Sequence, residues 1–334
     1  MVVPVFLPHM GCTQRCIYCH QGYITDIRED DLKARIEMAL RGRGTPCEVG
    51  LFGGNIFGIE PAVLERIFAC FDEHRDVISG FRLSTKPVPL RDETIAILKS
   101  SGVNVIELGV PTFNDGILHA MNRGHTAGDL FRAYERLAGE GFRLALQFMV
   151  GLPGEGPADI EETIRNMAAL HPLYIRIYPL VILRNTPLYK LYEGGEFSPI
   201  PFDDALDRAV LIYLNALKRG IDVVNVGLTD NELVRDMVAG GFYHPAYGFL
   251  VQSRAFFMAV SGALRKLGDP AEATVILHRN DIPLFVGHKR ENLARFAAMG
   301  ITLHREASGP LQGSFETVSK AGSVSGTMLD GGGQ

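Results

Sequence analysis

Residues 103–153 read VNVIELGVPTFNDGILHAMNRGHTAGDLFRAYERLAGEGFRLALQFMVGLP. An apolar, β-branched run at 103–110 gives way to a segment of helical period at 127–141, and a second apolar run follows at 143–150. Strand, helix, strand is the unit that sets two parallel strands side by side with a helix crossing over them. The same alternation extends in both directions. VVPVFLP leads to DDLKARIEMALRG, CEVGLFGG to PAVLERIFACFDEH and FRLST to RDETIAILKSSG, while LYIRIYPLVIL leads to PFDDALDRAVLIYLNALKRG. Six such units require a parallel sheet with helices outside it. The strands are nearly continuously apolar, which predicts that both faces are covered.

An open doubly wound sheet and a barrel both satisfy six units. The unusual residues decide between them. The cysteines of 12–19, Gly53-Gly54, Ser84-Thr85-Lys86, Pro111-Thr112 and the Gly-Leu-Pro-Gly turn at 151–154 all follow strand C-termini, where the loops of a βα barrel converge on one mouth. The expected fold is therefore α/β: a partial (β/α)6 TIM-like barrel over 1–220, with a C-terminal α/β extension over 221–307. Within the extension, IDVVNVGL reads as a strand, and DNELVRDMVAGG and SRAFFMAVSGALRKLG read as helices. A compact strand-helix-strand unit follows, ATVILH, HKRENLARFAAMG and ITLHRE. The Gly- and Ser-rich tail 308–334 has too little apolar content to pack and is expected to be disordered.

With 334 residues, 46% of them hydrophobic and 21% charged, the chain is long enough for a substantial core and excludes disorder as its main state. A net charge of −5 gives no overall signature of a nucleic-acid binder. The N-terminus lacks a basic run and a small-residue cleavage site, and no apolar stretch approaches the roughly 20 residues of a membrane span. A cytoplasmic protein with no membrane partner is expected, and there its thiols stay reduced.

Three of the five cysteines, Cys12, Cys16 and Cys19, share the loop GCTQRCIYCHQ at 11–21. Side chains on a strand alternate faces, so spacings of four and three need a loop that wraps its ligand. Soft thiolate ligation suits zinc or an iron-sulfur cluster. Structural zinc sites close with four protein ligands, usually from two CxxC-like pairs, and no second pair exists here: Cys47 and Cys70 are isolated. Three ligands point to a cubane with one iron left for a non-protein ligand. Zinc completed by His9 or His20 stays open as the alternative.

CTQRCIYC, with its aromatic before the third cysteine, resembles the CxxxCxxC signature of the radical S-adenosylmethionine (SAM) superfamily. The segment 105–126, VIELGVPTFNDGILHAMNRGHT, is similar to one in the Elongator catalytic subunit and in oxygen-independent coproporphyrinogen III oxidases. The resemblance implies a 4Fe-4S cluster on the three cysteines and SAM on its open iron. It further implies reductive cleavage to a 5′-deoxyadenosyl radical, and a reductant such as flavodoxin or ferredoxin. The substrate it implies is a tRNA base or a small metabolite. The other class of function is a non-catalytic iron-sulfur or zinc protein.

Carried over position by position, the resemblance places Tyr18 against the adenine and Gly53-Gly54 at the SAM amino group, with Asn55 where an acidic or hydroxyl residue is usual. Arg123 falls on the SAM carboxylate, which a guanidinium fork suits. Gln147 falls on the ribose, with Gly151 and Pro153 forming the turn after it. The backbone of Val181 flanks the adenine, and Ser84 stands where the oxidases carry a SAM-contacting glutamate. Glu107, a lone carboxylate in the fourth strand, is expected to point into the barrel.

Two motifs remain. FYHPAYGF puts Tyr243, His244 and Tyr247 in a substrate cavity or in the core. The cluster His288-Lys289-Arg290 after Gly287 faintly resembles the GxxG loop of RNA-binding KH domains, with Arg290 at the second glycine, although a small βα unit packing on the barrel is the favoured reading.

Overall fold

Each apolar run becomes a strand, and the computed structural model, which describes residues 2–20, 29–42, 45–228 and 235–332, assembles them into one parallel sheet. It contains β1 (Val2–Phe6), β2 (Cys47–Phe52), β3 (Ile78–Thr85), β4 (Val103–Gly109), β5 (Arg143–Val150) and β6 (Tyr174–Pro179). After β6 the chain turns out at β7 (Val181–Leu183) and returns as β8 (Asp222–Val226), which pairs parallel with β6. Sheet order follows chain order, β1-β2-β3-β4-β5-β6-β8, so every crossover steps the same way and the sheet curls into a half-barrel. The strand at 222–226 thus belongs to the main sheet, which runs past the boundary expected at 220.

The outer layer comprises α1 (Glu29–Leu40), α2 (Pro61–Ala69), α3 (Asp92–Ser100), α4 (Asp115–Ala120), α5 (Ala127–Gly139), α6 (Pro157–Leu170), α7 (Pro187–Glu193) and α8 (Phe202–Leu217). Val49, Leu51, Leu83, Ile106, Leu146, Phe148 and Ile177 are fully buried in the main core with apolar residues of these helices. Alternate residues face the lumen, and there charged and amide side chains interrupt the apolar run. Register aligns Ser84 with Glu107 and Gln147 with Arg176, and Glu48 and Arg82 join the same face. The lumen carries a polar and charged layer beside apolar Phe6, Phe52, Val105 and Ala145, and only the helix side is apolar throughout.

Beyond β8 the expected helix DNELVRDMVAGG is corrected. Residues 229–234 lie outside the described residues, and the rest forms a short 3-10 turn and β9 (Val238–Gly241), antiparallel to β7. The glycine pair 240–241, with Gly241 at φ +83, suits a strand end and weakens a helix. The long α9 (Tyr247–Lys266) buries Val251 and Ala255 in the main core, and Phe256, Val260 and Leu264 in a second one.

That second core lies under β10 (Glu272–Leu277), α10 (Ile282–Val286), α11 (Glu291–Ala298), β11 (Thr302–Glu306), β12 (Ser314–Ser319) and β13 (Gly322–Thr327). Their sheet runs β11-β10-β12-β13. The tail expected to be disordered from Ser308 is therefore ordered up to residue 332: β12 and β13 make a hairpin that buries Phe315 and Thr317. Composition misled because a strand needs only alternate residues on one buried face.

Candidate functional site

The cysteine loop is held to the sheet by backbone. Leu7 N–H donates to Phe52 O at 2.7 Å, His9 N–H to Gly53 O at 2.8 Å and Asn55 N–H to Met10 O at 2.8 Å. The approach is so close that a Cβ on Gly54 would stand 2.6 Å from Met10 O and 2.8 Å from Leu7 O. At Gly54, what comes near the backbone is the cysteine loop itself. Gly53 takes φ +95, which L side chains rarely adopt. Asn55 is buried, and its Oδ1 accepts from Thr85 Oγ1 at 2.8 Å and Lys86 N–H at 3.2 Å, bracing this loop on the end of β3.

The loop is braced on two further sides. Ile17 N–H donates to Met121 O (3.2 Å) and Leu188 N–H to Ile17 O (2.9 Å), while Asn122 Nδ2 donates to Arg15 O (2.8 Å). These contacts bring the segment 121–125 onto the thiols. Arg123 Nη1 lies 2.9 Å from Tyr18 Oη and 3.5 Å from Cys16 Sγ, and Nη2 donates to Gly109 O at 2.8 Å. Arg123 is buried, and its Nε–H has no partner among the described residues. A buried charged donor without an acceptor is costly, and an incoming carboxylate would supply one.

Two residues that sequence reasoning did not assign complete this side. Lys86 is buried and its Nζ donates to Arg123 O at 3.2 Å. His125 is buried, neither ring nitrogen has a well-formed hydrogen bond among the described residues, and burial, helped by the Arg123 and Lys86 cations, pushes its pKa down to about 3. The signals available were a lysine at a strand end and the adjacency in NRGHT. Neither reveals that the two segments meet.

Burial raises the Cys12 thiol above its usual range and pushes Cys19 up to about 12, with the neighbouring thiols adding to both. Lys86 and Arg123 oppose these shifts. The three thiols of the loop, beside two buried cations, form a donor set suited to an anionic thiolate cluster. Cys19 Sγ is 3.7 Å from His9 Nδ1, yet among the described residues no three His, Cys, Asp or Glu side chains gather at single-ion distance. One zinc would draw its thiolates to about 2.3 Å from a common centre. A cubane, each thiolate on its own iron, takes wider spacing. Cys47 and Cys70 are spent elsewhere, on Val77 O and Arg66 O.

Deeper in the lumen, Glu107 is fully buried, as its expected inward direction requires. It accepts from Gln147 Nε2 at 2.7 Å, Tyr174 Oη at 2.6 Å, and Arg176 Nε and Nη2 at 2.9 and 3.2 Å. The Gln147 amide N–H is thus directed at Glu107. Ser84, in register with Glu107, is buried beside this group. Arg82 links Glu48 (2.5 Å) to Tyr174 Oη (2.9 Å), extending the layer across the sheet.

Gly151 and Val181 lie elsewhere on the mouth. Gly151, at φ +81, would put a Cβ 2.1 Å from the Phe242 ring, and its N–H donates to Glu155, which Arg208 holds at 2.8 Å. Val181 pairs with Gly241. The structure thus brings Cys12, Cys16, Cys19, Tyr18, Gly53, Gly54 and Arg123 together, with Ser84 and Gln147 below and Gly151 and Val181 at the rim. Tyr247 is core, its ring edge-on to Phe202, while Tyr243 and His244 are half-buried.

A parallel half-barrel with three thiols and buried cations at its mouth defines a radical SAM protein, and the chain belongs to that superfamily. Residues 7–167 match the Radical SAM superfamily, and residues 172–255 match the Radical_SAM C-terminal domain. Its relatives include the heme chaperone HemW of Bacillus subtilis, 30% identical over 145 residues, 43% of this chain and 38% of that one. They also include the tRNA uridine(34) acetyltransferase of Methanocaldococcus jannaschii, 29% identical over 138 residues, 40% of this chain and 25% of that one. The chain therefore spans well under two thirds of these relatives. Among solved structures, Methanocaldococcus infernus Elp3 lacking its N-terminus superposes with TM-score 0.58 at 20% identity, covering 80% of this chain and 63% of that one. Coproporphyrinogen III oxidase (HemN) of Escherichia coli gives 0.52 at 15% identity, covering 96% and 66%. At these identities the likeness is one of fold.

Proposed function

We propose that this protein is a radical SAM enzyme, with Cys12, Cys16 and Cys19 holding a 4Fe-4S cluster and SAM bound on its open iron. When bound, the pair supplies hydrogen-abstracting chemistry through reductive cleavage of SAM, which calls for a one-electron donor such as flavodoxin or ferredoxin. The observation that carries the reading is Arg123: a buried guanidinium fixed by Tyr18, Cys16 and Gly109, with Nε–H left for an acceptor the protein does not provide.

The chain's own residues divide the work. Arg123 orients a carboxylate next to the thiols. Gly53, Gly54 and Asn55 fix the cysteine loop, and Tyr18, on that loop, accepts a hydrogen bond from Arg123. Gln147, Ser84, Gly151 and Val181 border the space in which the nucleoside would lie. Below the mouth the Glu107 group forms a polar floor in which Glu107 accepts from Gln147, Tyr174 and Arg176, so the lumen keeps its shape as water leaves. The substrate that the family resemblance carries to this chain is a tRNA base or a small metabolite.

Anaerobic reconstitution, followed by assay for 5′-deoxyadenosine with SAM and dithionite, tests the reading. Product is expected from the wild type and not from Cys16→Ser. Iron bound through the cysteines with no 5′-deoxyadenosine would overturn it in favour of a non-catalytic iron-sulfur protein, the reading that similarity to a heme chaperone supports.

A further inference from the structure

Two motifs far apart in sequence, FYHPAYGF and Gly287-His288-Lys289-Arg290, meet in space. The His244 and His288 rings stand edge to face, 5.1 Å between centroids. His244 Nδ1 accepts from Ala246 N–H at 3.0 Å, so its neutral ring carries the proton on Nε2 and offers a donor there. Burial, together with His288 and Lys289, lowers the His244 pKa and keeps the ring neutral. His244 follows Phe242 by two residues, and the Phe242 ring lies against Gly151 at the barrel mouth.

The 287–290 turn joins α10 to α11 and is anchored through Asn292. Asn292 is buried, and its Nδ2 contacts Ser253 O, Ser253 Oγ, Leu284 O and Phe285 O at 2.9–3.2 Å. A Cβ on Gly287 would meet Asn292 N at 2.9 Å. Lys289 (φ 48, ψ 31) and Arg290 (φ 65, ψ 25) both take left-handed backbone, which non-glycine residues adopt at a cost and which clusters at functional sites. Arg290 therefore holds a glycine's conformation while adding a guanidinium. Both side chains are exposed, and neither makes an ion pair with a described residue.

We propose that the Gly287–Arg290 turn, with His244 beside it, docks the sugar-phosphate backbone of single-stranded RNA next to the barrel mouth. A four-residue turn between two helices is how GxxG loops clamp a nucleotide backbone. Here the second glycine position keeps the left-handed geometry, and the turn adds cations for phosphates and a neutral imidazole donor. This surface was not legible from net charge, since two exposed cations at 289–290 do not register in the total of a chain that is acidic overall.

Fluorescence anisotropy of a short labelled oligouridine with the full chain tests it without cluster or SAM, so its outcome is independent of the radical SAM reading. Wild-type affinity is expected to fall steeply between about 50 and 200 mM salt. In Lys289→Ala/Arg290→Ala the log–log salt slope should flatten by roughly 1.4, about 0.7 per phosphate contact, with binding on the order of 20-fold weaker at about 0.1 M salt. Arg290→Gly, which suits the φ of this position, should weaken binding with Tm unchanged or raised, separating lost contact from lost fold. No binding by the wild type, an unchanged slope in the double variant, or equal competition by an acidic polyglutamate peptide would overturn the proposal.

Discussion

Glu107→Gln probes the floor of the lumen directly. The native carboxylate accepts four hydrogen bonds, from Gln147, Tyr174 and two nitrogens of Arg176. Glutamine keeps one acceptor oxygen but turns an NH2 toward groups that are themselves donors, and it leaves the Arg176 charge uncompensated. Breaking a buried ion pair at one partner costs about 3–5 kcal/mol. The Glu107 side chain is 0% exposed but that of Arg176 is 19%, so the arginine can recruit some water and the lower end, about 3 kcal/mol, is expected. That is roughly a hundredfold in the folding equilibrium. Removing both partners in Glu107→Leu/Arg176→Met should recover part of the loss, because no orphaned charge remains, while Gln147 and the Tyr174 hydroxyl still lose their acceptor at about 1–3 kcal/mol each. Tyr174 keeps its contact with Arg82 in either variant. Urea denaturation followed by circular dichroism on metal-free protein measures both. A Glu107→Gln variant as stable as wild type, or a double variant as destabilised as the two singles combined, would refute the reasoning.

Arg123→Ala should weaken SAM binding by calorimetry roughly 10- to 100-fold at unchanged iron content, the scale of a hydrogen bond to a charged group; an unchanged Kd would remove the carboxylate role. Gly54→Ala places a Cβ 2.6 Å from Met10 O, a backbone atom that can yield only if the cysteine loop moves, so iron retained after reconstitution should drop, and full loading would show the loop to be more compliant than argued. His125 is neutral in the fold, with its pKa depressed from 6.5 to about 3. Its contribution is therefore complete above pH 6.5 and is lost as pH falls toward 3, at up to about 1.4 kcal/mol per pH unit. Stability of the metal-free protein measured from pH 6.5 to 5 should show this slope and lose it in His125→Gln.

The sheet, its helices and the mouth were readable because parallel strands and amphipathic helices carry their periods locally, and a βα barrel collects its chemistry in loops after strands. The thiol loop was readable because three cysteines at close spacing have few other uses. The polar lumen was not. Glu48, Arg82, Glu107 and Arg176 each look like one interruption in an apolar run, and their partners stand 34 to 92 residues away on other strands. Lys86 and His125 escaped for the same reason, since they meet only where the end of β3 comes against the 121–125 segment. The ordered tail escaped because a hairpin needs one apolar face, which Phe315 and Thr317 provide within a stretch whose overall composition is that of a linker.

The cysteine loop takes its shape from hydrogen bonds to Phe52, Gly53 and Asn55, to Met121 and Asn122, and to Leu188. These anchors sit on three separate crossovers of the barrel, so the motif is not a portable cassette. Grafting residues 11–20 onto another scaffold would transfer three thiols without the backbone that spaces them. A functional transplant, or a minimal version of this protein, has to carry the barrel at least through α7, and a truncation before Leu188 should forfeit the proposed cluster site even though all three cysteines are still present.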